Sequence, residues 1–285
     1  GSLKAGETAT LTFTLSESAT DFVSSDVVVT GGTLSALTGS GLSYTAIFTP
    51  TVNSADIARV NVSSGKFTDA AGNQNADGSD ANNTVTMSVD TIAPTIGISS
   101  NRTNPNSVET ATLTFTLSEP SADFEVGDVT ATGGLISSFT RVSATSYTAT
   151  FTPTAGSTTS GVVSVLSGKF TDAAGNANSA ASNTVTMSVD TVAPTIAIAS
   201  SKGSLKAGET ATLTFTLSEL ATGFVASDVT VSGGALSAFA GNGTSYTATF
   251  TPDVSSTTSG VVSVSSGKFT DAAGNQNADG SDAVS

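Results

Sequence analysis

Residues 8–17 read Thr-Ala-Thr-Leu-Thr-Phe-Thr-Leu-Ser-Glu, and the same ten-residue string returns at 110–119 and 210–219. Leu11, Phe13 and Leu15 alternate with threonines, the period of a strand with one buried face. Each copy ends on an acid: Glu17, Glu119 and Glu219. Working outward, Tyr44, Tyr147 and Tyr246 sit in a second alternating run, and Val85, Met87 and Val89 in a third. The string TDAAGN carries Asp69, Asp172 and Asp271, spaced by 103 and 99 residues. A stretch ending NTVTMSVDT, with APTI one residue further on, closes two of the copies at Thr91 and Thr191.

The repeat is therefore about 100 residues, the size of one β-sandwich rather than of a solenoid unit. Paired glycines at 31–32, 133–134 and 233–234 mark turns, and Pro50, Pro153 and Pro252 each close a strand. Six or seven short strands fit in each unit, and nothing in the chain reads as a long helix. The expected fold is all-β: three tandem Ig-like β-sandwich domains in an elongated rod, over residues 1–90, 91–190 and 191–285. The first unit begins after the point where its first strand would lie and the third stops before its last, so the chain reads as a piece of a longer array.

Composition narrows function. The 285 residues contain no Cys, His or Trp, while Ser and Thr make up roughly a third of the chain. That removes disulfides, thiolates, imidazole bases and the usual zinc sites, and an enzyme is not expected. A glycosidase-like pairing of Glu17 with Asp26 is set aside, because the pair recurs three times among different neighbours. Nine basic against 23 acidic residues give a net charge of −14. This sign repels nucleic acid and anionic membrane surfaces and attracts cations. No apolar run approaches the length of a membrane helix.

Strand alternation gives the acids an address. If consecutive strands run up and down, the loop after the second strand and the TDAAGN loop between the sixth and seventh share one end of each unit. Glu17, Asp26 and Asp69 then lie at the entry end of the first unit. Glu119, Asp128 and Asp172 do so in the second, and Glu219, Asp228 and Asp271 in the third. Asp90 and Asp190 end the last strands one step before a linker, so Asp90 is expected to meet Glu119, Asp128 and Asp172, and Asp190 to meet Glu219, Asp228 and Asp271. Eleven of the 23 acids fall at these places. Carboxylates about 5 Å apart repel by roughly 1 kcal/mol per pair even in water, so such a cluster calls for a cation. An all-oxygen set of Asp, Glu, Asn and carbonyls suits Ca2+, whereas Mg2+ demands tighter octahedral geometry. Neither an EF-hand string nor a glycine-rich nonapeptide is present. Read as strand-end turn formers, the same acids need no ion.

Other acids rank lower. Asp77, Asp80, Asp279 and Asp282 extend the TDAAGN loop in two units only. Asp21 and Asp123 have Gly223 as their third counterpart, and Glu7, Glu109 and Glu209 lie in the turn before the second strand, at the end of the unit from which they could reach a junction.

Taken together, TFTLSE, SDV, YTATFTP, GKFTDAAGN and the SVDTxAPT linker resemble the bacterial Ig-like repeats of giant surface adhesins of the biofilm-associated and RTX type, over essentially the whole chain. The resemblance implies an extender segment, exported by type I secretion to the cell surface, in which Ca2+ at domain junctions stiffens a monomeric rod whose partners are the neighbouring repeats. The ligand-binding tip would lie outside this segment. It implies Asp90, Glu119, Asp128 and Asp172 as one ligand set and Asp190, Glu219, Asp228 and Asp271 as another. The alternative is a set of repeats that themselves bind glycan or protein, or associate between cells; without Trp, and with the tyrosines on core-facing positions, the sugar-binding version is weaker.

Overall fold

A computed structural model describes residues 2–76 and 81–278; Asp77, Asp80, Asp279 and Asp282 lie outside the described residues. The first unit holds β1 (Ala9–Ala19), β2 (Val27–Thr30), β3 (Gly32–Leu34), β4 (Thr38–Pro50), β5 (Ile57–Val62) and β6 (Thr84–Ser88). The second holds β7 (Ile96–Ser100), β8 (Ala111–Leu117), β9 (Val129–Thr132), β10 (Gly134–Arg141), β11 (Ser146–Pro153), β12 (Gly161–Val165) and β13 (Val185–Met187). The third holds β14 (Ile196–Ser200), β15 (Ala211–Leu217), β16 (Val229–Ser232), β17 (Gly234–Asn242), β18 (Ser245–Pro252) and β19 (Val261–Val264).

The second unit shows the full pattern. One antiparallel sheet is ordered β10-β11-β8-β7 and faces a second ordered β13-β12-β9. This is the seven-stranded Ig sandwich, with strands one, two, four and five on one sheet and three, six and seven on the other. Alternation produces it directly. Along β8 every second residue, Ala111, Leu113, Phe115 and Leu117, is buried, while the threonines between them face outward or sit at the rim. From the facing sheet Val163, Val165 and Met187 fill the other half of the core.

Each core closes at one end on a phenylalanine of the loop after the second strand: Phe22, Phe124 or Phe224. The Phe124 ring meets Tyr147 edge-on at 5.1 Å and lies 5.2 Å from Phe170. The Tyr147 hydroxyl then donates to the Ser121 carbonyl at 3.0 Å, which satisfies its polar end and ties the loop to β11. The paired glycines have separate duties. Gly133 adopts φ of +70°, a left-handed turn, whereas a Cβ on Gly134 would collide with the Phe151 ring.

Among the described residues the helical content is four short 3-10 turns, at Ser24–Asp26, Ala81–Asn83, Val126–Asp128 and Ala226–Asp228. No helix among the described residues is long and apolar enough to cross a membrane.

Candidate interdomain site

Successive units meet through a pinned linker. At the second joint Val189 is buried in the second unit's core, and the Thr191 hydroxyl donates to the Thr154 carbonyl at 2.6 Å. The same oxygen accepts the Ser157 N–H at 2.9 Å, so the linker's start is fixed to the unit it leaves. Four residues later the Thr195 N–H donates to the Ser218 hydroxyl and the Ser218 N–H to the Thr195 carbonyl, both at about the same length (2.9 and 3.0 Å), which fixes the linker's end to the unit it enters. Thr91 and Thr95 repeat the arrangement at the first joint, with Ser54 and Ser118 as partners.

This pinning carries Asp90 and Asp190 onto the next unit. Carboxylate oxygens of Asp90, Glu119 and Asp172 all lie within 4.8 Å of one another, and those of Asp190, Glu219 and Asp271 do the same. Asp172 and Asp271 are buried, and the other four acids are partly buried. Burial, followed by the charges of Asp172 and Asp90, holds the Glu119 carboxyl above its ordinary pKa. Burial, Asp271 and Asp190 act likewise on Glu219. Among the described residues the two ion pairs are Arg102–Glu109 and Lys202–Glu209, so neither triplet has a basic partner within 4.0 Å.

Asp128 and Asp228, expected in these clusters, are elsewhere. The Asp128 carboxylate accepts the Glu125 N–H at 2.9 Å and caps the 3-10 turn that it ends. Asp228 does this for Val225 and Asp26 for Val23. The competing force is local: an unpaired N–H three residues upstream takes the carboxylate before a neighbouring unit can. In the first unit Glu17 is exposed within β1, and Asp69 accepts from the backbone N–H of Ala71 and Asn73 and from the Asn73 side chain, the same kind of loop bonds that Asp172 accepts from Asn176 and Asp271 from Asn275. The Asn73 amide, then the backbone N–H groups, keeps the Asp69 carboxyl below its usual value.

Two further contacts complete each joint. Asn176 and Asn275, of the TDAAGN loops, are 4 % and 1 % exposed and bind across the joints, whereas Asn73 is exposed. The turn before the second strand of the preceding unit also reaches the joint, through its backbone. Glu7, Glu109 and Glu209 in those turns point back to their own units: Glu7 and Glu209 accept the Lys4 and Lys206 N–H, and Glu109 pairs with Arg102.

The donor set fits Ca2+. It is all oxygen, without the nitrogen or sulfur that zinc prefers. Oxygens at about 2.3–2.6 Å from a shared Ca2+ ion stand at most roughly 4.6–5.2 Å apart, and the three carboxylate oxygens of each triplet lie within 4.8 Å of one another.

A family model described as "Bacterial Ig-like domain" matches residues 1–86, 90–189 and 190–285. The chain belongs to this bacterial Ig-like domain family. No curated protein matches it. Among solved structures, FdeC, an Escherichia coli adhesin, shares 17% identity over 98% of this chain and 92% of that one, with a TM-score of 0.38. InvD of Yersinia pseudotuberculosis shares 16% over 98% and 93%, at 0.34. Invasin, described as a bacterial integrin-binding protein, shares 14% over 92% of this chain and 54% of that one, at 0.38. A titin tandem scores 0.29 at 10% identity, so likeness at this level transfers no function to these bacterial Ig-like units.

Proposed function

We propose that these three bacterial Ig-like domains are an extender segment of a bacterial surface adhesin, displayed outside the cell and stiffened by Ca2+ at the joints. The observation that carries the reading is the carboxylate triplet at each joint, assembled from two successive units around a linker already pinned at both ends. The motif set and its resemblance to biofilm-associated and RTX-type adhesin repeats support the adhesin context and a type I export route. Asp90, Glu119 and Asp172 would hold the ion at the first joint, and Asp190, Glu219 and Asp271 at the second. The bound charge would offset the repulsion between the linker acid and the two acids of the next unit.

The segment acts by holding distance, so binding chemistry belongs to parts of the adhesin beyond it, and each chain works as a monomer. The test is small-angle scattering and thermal melting in Ca2+ and then in EGTA. The expected result is a broader distribution of maximum dimension and a lower melting temperature on chelation. Scattering and melting that are both indifferent to chelation would remove the ion from the proposal.

A further inference from the structure

The carboxylate triplet occupies only part of each joint, and the rest is built on one asparagine. Asn176 Nδ2 donates to the Asp90 carbonyl at 2.9 Å and to the Asp172 carboxylate at 2.8 Å, while its Oδ1 accepts the Ala5 N–H at 2.8 Å. At the second joint Asn275 makes the same three bonds. Its amide donates to the Asp190 carbonyl at 3.0 Å and to the Asp271 carboxylate at 2.7 Å, and its Oδ1 accepts the Ser107 N–H at 2.8 Å. One buried side chain thus grips the preceding unit at two separated points, its turn and its linker. Two contacts at different places restrict tilt and rotation together, which the linker alone cannot do.

The contacted groups are all main chain on the preceding unit. The turns that present them differ in sequence, Lys4-Ala5-Gly6 in one and Asn106-Ser107-Val108 in the other. Their backbones agree: the Glu7 N–H bonds the Lys4 carbonyl and the Glu109 N–H the Asn106 carbonyl. This turn leaves the second residue's N–H free to point at the asparagine. Side chains differ around the same spot. Lys4 lies over Gly175 at the first joint, and at the second Asn106 donates to the Ala273 carbonyl. A third turn, Lys206-Ala207-Gly208, closes on the same bond from Glu209 to Lys206.

We propose that Asn176 and Asn275 are the orienting residues of the joints, and that they recognise the backbone of the preceding unit rather than its side chains. The interaction surface is the TDAAGN loop, and its partner is any unit carrying this four-residue turn and an extended linker. Units of this type are then interchangeable in order, since each asparagine reads features common to all of them. The bonds to the preceding unit run to its main chain rather than to an ion, so the failure of this role in EGTA is separable from that of the Ca2+ reading.

The chain has no cysteine, so spin labels can be placed at will on the full protein. Thr33→Cys, Leu135→Cys and Ala235→Cys give exposed, equivalent positions on the three units, and pulsed-dipolar distance distributions report each joint separately. Asn275→Ala is expected to broaden the distribution between the second and third units, in Ca2+ and in EGTA alike, and to leave the first joint narrow. Asn73→Ala removes the same bond within the exposed TDAAGN loop of the first unit, and so measures the loop's own contribution to thermal stability. Replacing Asn106, Ser107 and Val108 together by Lys, Ala and Gly is expected to keep the second joint narrow. An unchanged distribution for Asn275→Ala in both conditions would overturn the orienting role. Broadening by the turn replacement would overturn the backbone recognition.

Discussion

Glu219→Gln should act in opposite directions with and without Ca2+. Its carboxylate lies within 4.8 Å of those of Asp190 and Asp271, so the substitution deletes two of the three repulsive pairs at the second joint. At 4.8 Å, the outer limit of that spacing, a pair of unit charges costs about 0.9 kcal/mol at the dielectric constant of water, and the two pairs about 1.7 kcal/mol. Salt reduces the effect for partly exposed groups, which leaves about 1 kcal/mol. For a domain of this size that corresponds to a rise of roughly 4–8 °C in melting temperature. Burial is the largest influence on the Glu219 carboxyl and also disfavours its charged form, so neutralisation gains on both counts in EGTA. In Ca2+ the variant lacks one charged ligand and should lose part of a stabilisation that is about 2.7 kcal/mol for the parent at a concentration 100 times its dissociation constant. The assay is thermal unfolding of the chain in both conditions, with Glu17→Gln as the control, since Glu17 is exposed and belongs to neither triplet. A lower melting temperature for Glu219→Gln in EGTA would refute the repulsion argument. An undiminished response to Ca2+ would refute Glu219 as a ligand.

Phe124→Ala should cost the second unit about 3–5 kcal/mol, because the ring closes one end of the core against Phe115, Phe139, Tyr147 and Phe170; denaturant unfolding followed by hydrogen exchange resolved by unit reads it. Asp123 is pushed up by burial but held below its ordinary pKa overall by the Thr171 N–H, the Thr171 hydroxyl and the Ser121 hydroxyl. Its folded value is thus the lower one. Its stabilising effect is complete above the unfolded value of about 3.9 and disappears as pH falls through the folded value. Hydrogen exchange resolved by unit should show this acid sensitivity in the second unit and its removal by Asp123→Asn. The third unit, with Gly223 in place of the acid, joins the same two loops by backbone bonds between Thr222 and Thr270 and should lack this component. Thr191→Val removes the hydroxyl that fixes the linker to Thr154 and Ser157, at about 1–3 kcal/mol for buried groups left unpaired, and scattering should detect a looser second joint.

The sandwich was legible because two periodicities coincide. The alternation in TATLTFTLSE and SYTATFTP is strict enough to orient β8, β11, β15 and β18, and the repeat spacing sets the unit size. Placement of the acids was legible only where strand direction decides it: Asp90, Glu119 and Asp172 arrive together because strand ends bring them there. Asp128 followed a different rule. The spacing of three from Glu125 to Asp128 is that of a turn cap, and a nearby N–H outcompetes a distant cluster. The asparagines of the TDAAGN loops were visible as residues but not in role, since what Asn176 binds is the backbone of Ala5 and Asp90, and main-chain partners have no identity in a sequence. Asn178, two positions on, shows how close the alternatives are. It spends its amide within its own unit, on the N–H groups of Lys169 and Phe170 and the carbonyls of Leu166 and Ala180.

The linker between units is tied down at Thr191 on one side and Thr195 on the other, with three residues between. A chain pulled from its ends therefore has almost no slack to pay out at the joint. Load entering along β14 passes through five residue pairs with β15, whereas load leaving the second unit passes through β13, which pairs with β12 over only three. Under tension the shorter pairing is the fuse. The last strand of a sandwich, with Met187 drawn out of its core, is expected to yield before the joint does.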